Sequence, residues 1–202
     1  MKAIRNEIGG FSNLMFKEAF IINQMLLGNI PDQYVQGEKF FAEHKDVIKA
    51  KFSEGIGRID KVALHVRRGD YLNQSFHTNL SETDYYERAI ALFPEDTQFL
   101  VFCQDNQDYR QDREDQKWCY EYLKPLLGTR FEMQSVYFKE HEDFNAMASC
   151  RAIIGANSSF SWWAAYLGDP DKMVVMPKAE KWFTDGKVRT ELPASWQQID
   201  FV

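Results

Sequence analysis

From residue 61 onward the chain alternates short apolar runs with amphipathic stretches, and this alternation restricts the fold more than any other feature. The apolar runs fall at residues 62–66 (VALHV), 99–103 (FLVFC), 131–137 (FEMQSVY), 152–155 (AIIG) and 173–176 (MVVM). Each is rich in β-branched or aromatic side chains and bounded by polar residues, Gly or Pro, which is the signature of a strand. Helix candidates lie between them. Residues 81–93 open with Ser81-Glu82-Thr83-Asp84, close to a capping box, and place Tyr85, Ala89, Ile90, Leu92 and Phe93 on one face before Pro94. Residues 118–127, 142–150 and 158–167 supply three more, the last closed by Gly168. Strands separated by helices predict a mostly parallel sheet covered on both faces, so residues 61–202 read as a doubly wound α/β domain.

Residues 1–60 are different. Residues 11–27 read as one helix and 47–52 as the end of another, broken by Gly55 and Gly57. That is too little for a second α/β domain.

Charge narrows the range of partners. With 24 basic and 30 acidic residues the net charge is −6, and the basic residues are scattered, which argues against a nucleic-acid surface. An anionic ligand then needs a local cationic spot. Cys103, Cys119 and Cys150 are odd in number and lack CxxC spacing, which speaks against a disulfide framework or a zinc site and for reduced thiols. No run approaches the roughly 18 apolar residues of a membrane span, and MKAIRNEIGG lacks the apolar core of a signal peptide. The expected location is cytoplasmic, with peripheral membrane contact left open.

Three segments carry chemistry. His65-Val66-Arg67-Arg68-Gly69-Asp70-Tyr71 stands at the carboxyl end of the first strand, where open α/β sheets bind ligands. A guanidinium fork there matches phosphate oxygens, and Gly69 lets the backbone turn. The plain alternative is a solvated Arg–Asp pair. Asn157-Ser158-Ser159-Phe160-Ser161-Trp162-Trp163 bridges a strand and a helix. Its polar residues either cap the helix or join the first-turn amides in holding an anion such as a pyrophosphate; the tryptophans read as core. Phe102-Cys103-Gln104-Asp105 ends another strand, and Asp105 could accept from a guanine or a ribose.

HVRRGDY followed by NSSFSWWAA resembles the signature pair of glycosyltransferase family 11, the α-1,2-fucosyltransferases. FCQD with Trp118-Cys119 is similar to the family's FSDD…WC segment, with Cys103 and Gln104 in place of Ser and Asp and a longer insert before the tryptophan. YVQGEKFF at 34–41 resembles YFQSEKYF, and GGFSNLMF at 9–16 is similar to the opening GGLGNQMF. The stretch between these last two is much shorter than the family's.

The resemblance implies a GT-B-like fold whose Rossmann-like half, residues 61–202, holds the nucleotide sugar, beside a reduced acceptor-side region at 1–60. It implies inverting transfer of L-fucose from GDP-fucose to a glycan hydroxyl, such as the 2-OH of a galactoside, with no metal and no further cofactor. The alternative is a binding-only remnant that holds GDP or GDP-sugar without turnover. By motif matching, Arg67 or Arg68 neutralises the departing GDP, His65 and Asp105 meet guanine and ribose, and Ser158 and Ser159 hold the pyrophosphate with Asn157 beside them. Asp70 is the candidate base. Of the two arginines, Arg67 lies nearer the buried strand and is expected to be held by neighbours such as Asp70, leaving Arg68 free to meet the pyrophosphate.

Overall fold

A computed structural model describes Met15, Ala19 and residues 37–103, 110–134 and 140–202. The expected helix at 11–27 and the segments 9–14 and 34–36 lie outside the described residues apart from Met15 and Ala19, and so does Asp105.

One six-stranded sheet organises these residues, with order β3-β2-β1-β4-β5-β6. Its strands are β1 Ile59–Val66, β2 Phe99–Cys103, β3 Phe131–Met133, β4 Cys150–Ile154, β5 Met173–Pro177 and β6 Gln197–Ile199, and every neighbouring pair is parallel. The chain winds outward from β1 to β3, returns to lay β4 against β1, and continues to the other edge. This is the doubly wound, Rossmann-like sheet that the alternation predicts, and it is consistent with a GT-B-like fold. Strand order reverses between β1 and β4, so the crevice of such a sheet opens beyond the carboxyl ends of those two strands.

The helices are α1 Lys45–Phe52, α2 Tyr85–Ile90, α3 Arg110–Trp118, α4 Lys124–Leu127, α5 Glu140–Ser149 and α6 Ser159–Leu167. Side chains alternate along β1, so Val62, Leu64 and Val66 enter a core with Tyr85, Tyr86, Ala89 and Leu123. Ala63 enters the opposite core, with Phe144, Met147, Trp162 and Trp163. Both tryptophans are fully buried, as their place on α6 predicts. Phe41 stacks on Trp163 at 5.5 Å, and Ile48 of α1, Met15 and Ala19 join the same cluster. Residues from the first 60 positions thus cover one face of the sheet's helical layer.

Three elements differ most from the sequence reading. The first helix is only α2, because the Asn79 side chain accepts from the Ser81 amide at 3.1 Å and builds a separate turn, Leu80–Glu82. The Ser81 hydroxyl is therefore not the cap of α2. The helix expected at 118–127 starts earlier, at Arg110, and passes through a π-helical turn, Cys119–Leu123, before α4. The third apolar run forms a strand only to Met133, and 135–137 lie outside the described residues.

Candidate functional site

The HVRRGDY segment leaves the sheet at Val66 and turns at once. Gly69 takes a φ of 35°, in the region that glycine tolerates best, and opens a 3₁₀ turn, Gly69–Asn73. This turn sends the two arginines opposite ways.

Arg68 runs back beneath α3. Its Nε donates to Asp115 Oδ1 at 3.1 Å, its Nη1 donates to Ser81 Oγ at 2.5 Å, and its guanidinium lies 5.1 Å from the centre of the Trp118 ring. The Asp115 side chain is 1% exposed, and its other oxygen accepts from the Gly69 amide at 2.7 Å. Arg67 instead pairs with the half-exposed Asp70 and lies over the Tyr71 ring at 4.9 Å. Asp70 also accepts from Gln74 Nε2 at 3.0 Å. The expected pairing of Arg67 with Asp70 is present, but the burial is reversed: Arg68 is the arginine held in the interior, with Asp115 as its carboxylate partner. The expectation extended the strand's alternation one residue too far, past the point where the backbone turns.

His65 is 6% exposed and sits beside Phe160, with ring centroids 5.7 Å apart. Burial, reinforced by the Arg67 charge, pushes its pKa down to about 3, so the imidazole is neutral. Its Nδ1 is buried and has no partner among the described residues.

The second segment leaves β4 at Ile154. Ser158 caps α6, its Oγ accepting from the Phe160 amide at 3.3 Å, which is the capping role weighed for it. Asn157 is 2% exposed and acts as a clip: its Nδ2 donates to the carbonyls of Thr78 at 2.8 Å and Trp182 at 3.2 Å. It thereby ties the loops that follow β1 and β5 to the end of β4, while its buried Oδ1 has no partner among the described residues. Ser159 is half-buried in the first turn of α6.

The two segments meet. The Tyr71 hydroxyl donates to the Asn157 carbonyl at 3.2 Å, which joins them at the β1–β4 switch point, where the crevice of such a sheet opens. Asp105 lies outside the described residues; the strand leading to it, β2, ends with Cys103 in register with Val66 of β1. Beside the crevice, Tyr71 stacks on His77 at 3.9 Å, and His77 packs on Phe183 at 5.1 Å. Burial holds the His77 pKa down at about 4.

Sequence reasoning missed Asp115, Ser81 and the His77–Phe183 pair. For Asp115 a signal was present: it stands three and four residues before Trp118 and Cys119, so a helix puts all three on one inner face. An aspartate on an apolar stripe marks a buried carboxylate that needs a partner. A fixed guanidinium and a helix amino end are each groups that suit a pyrophosphate.

The profile of glycosyl transferase family 11 matches residues 37–199. The chain is 27% identical over 184 residues to the Escherichia coli protein named alpha-1,2-colitosyltransferase, covering 82% of this chain and 60% of that protein. It is 32% identical over 151 residues to the Escherichia coli O-antigen biosynthesis glycosyltransferase WbnK, covering 66% of this chain and 43% of that protein. The chain thus spans less than two thirds of the length of either relative. No solved structure matches it.

Proposed function

The chain belongs to glycosyltransferase family 11, and on that footing we propose that it moves L-fucose from GDP-fucose to a hydroxyl of a glycan acceptor, with inversion and without a metal. The observation that supports this reading is the contact between Tyr71 and Asn157, which joins the arginine turn to the loop that leads into α6.

In this reaction the acceptor oxygen bonds to the anomeric carbon of the fucosyl group as the bond from that carbon to the β-phosphate oxygen breaks. The bonding electron pair stays with GDP. Negative charge therefore grows on the pyrophosphate, and a preorganised cation there lowers the barrier most. Arg68, fixed by Asp115 and Ser81, is assigned this role, with Arg67 adding a second positive charge from the same turn. Ser159 and the first turn of α6 receive the phosphates, with Ser158 and Asn157 holding the shape of that turn. The neutral His65 and Asp105 are assigned to the guanine and ribose. Asp70 takes the acceptor proton, and its pairing with Arg67 makes it a weak base. The relative named as a colitosyltransferase supports the α-1,2 linkage and makes the transferred sugar the part of the reading to test first.

The test is GDP release with GDP-fucose and GDP-colitose as donors, across galactoside acceptors, with and without EDTA. Acceptor-dependent GDP release from GDP-fucose, unchanged by EDTA, supports the proposal. Release from GDP-colitose alone replaces the donor sugar. GDP binding with no release for any acceptor points to a binding-only protein.

A further inference from the structure

The buried carboxylate of Asp115 is the least expected group near the crevice. Removing a carboxylate from water is costly, and a buried ion pair can often be replaced by apolar residues at no loss of stability. Its place therefore asks for a reason beyond the fold. Its two oxygens grip two consecutive residues of the arginine turn: Oδ1 takes Arg68 Nε at 3.1 Å and Oδ2 takes the Gly69 amide at 2.7 Å. Ser81 takes Nη1, and the indole of Trp118, one helical turn after Asp115 on α3, lies against the guanidinium. Nη2 is left as the guanidinium nitrogen with no partner among the described residues, on a side chain that is 16% exposed.

A guanidinium held at Nε and Nη1 cannot rotate without breaking charge-assisted hydrogen bonds, so its open edge points one way before any ligand arrives. We propose that Asp115 is the positioning residue for Arg68: it sets the guanidinium and the Gly69 turn in the geometry that receives the donor's pyrophosphate. This rests on the donor reading given above. Asp115 acts through Arg68 and does not itself touch the nucleotide.

The test is a double-mutant cycle on GDP affinity, by calorimetry on the full chain: wild type, Asp115→Asn, Arg68→Ala and the double variant. Asn keeps the shape but offers Arg68 a neutral acceptor or an amide in place of the carboxylate. Asp115→Asn is expected to weaken GDP binding about tenfold, as coupled neighbours do. In the Arg68→Ala background the same change is expected to have no effect, because the residue it positions is gone. In turnover, Asp115→Asn lowers kcat and leaves the acceptor KM unchanged, a split that a general loss of stability would not produce.

Wild-type affinity in Asp115→Asn overturns the inference and leaves the donor reading intact. An equal loss with and without Arg68 makes Asp115 merely structural and overturns it as well. Failure of the wild type to bind GDP removes the donor reading and this inference with it. If Asp115→Asn does not fold, Asp115→Glu, which keeps the charge and moves it by one methylene, takes its place in the cycle with the same expected and contradicting outcomes.

Discussion

Arg68 Nε lies 3.1 Å from Asp115 Oδ1, and the aspartate side chain is 1% exposed. Arg67, its neighbour in sequence, pairs with an aspartate that is 49% exposed. Removing one partner of a buried pair strands the other charge, at a cost of about 3–5 kcal/mol, whereas an exposed pair contributes about 1 kcal/mol or less. Arg68→Ala should therefore lower the denaturant midpoint far more than Arg67→Ala. The opposite order in urea unfolding would contradict the interior placement of Arg68.

Asn157 should prove structural before it proves catalytic. Its amide satisfies two carbonyls from different loops, those of Thr78 and Trp182. Asn157→Ala leaves both without that donor and should cost about 1–3 kcal/mol. Asn157→Asp, which cannot donate, should destabilise as well. Unchanged thermal midpoints for both variants would show that the clip carries no energy.

The broad architecture was legible because buried parallel strands need unbroken apolar runs, and FLVFC, AIIG and MVVM are such runs. The capping serine of α6 was legible for a similar local reason, since Ser158 directly precedes an apolar helix closed by Gly168. Edge strand β6 was not: Gln197–Ile199 is short and mostly polar, with nothing to tell it from a loop. Nor was α3, whose sequence RQDREDQKW carries almost no apolar periodicity. At the site, local sequence located both motifs. The spacing of Asp115 from Trp118 and Cys119 marked a buried carboxylate, but Arg68 lies 47 residues away in the chain, so the pairing itself shows only in the packing of α3 over the turn.

Stability should fall as the pH drops below 6.5. Burial and the nearby Arg67 hold His65 at about 3, against 6.5 for an ordinary imidazole. Between these values the unfolded chain binds the proton and the folded chain does not, so acid favours unfolding, by up to about 1.4 kcal/mol per pH unit for one such group. His77, held at about 4, adds in the same direction. His65→Gln should flatten the slope of unfolding free energy between pH 6.5 and 5, above the range where carboxylates titrate. An unchanged slope would mean that His65 protonates freely in the folded protein.

The central claim is that the β1–β4 switch point holds the nucleotide of the donor, and hydrogen exchange with and without GDP tests it most directly. GDP should slow exchange in the Gly69 turn, residues 67–71, and at the start of α6, residues 157–161, with no comparable effect from UDP. Arg68→Ala should remove that protection at matched GDP concentration. Protection confined to other segments, or produced by UDP and not by GDP, would contradict the account.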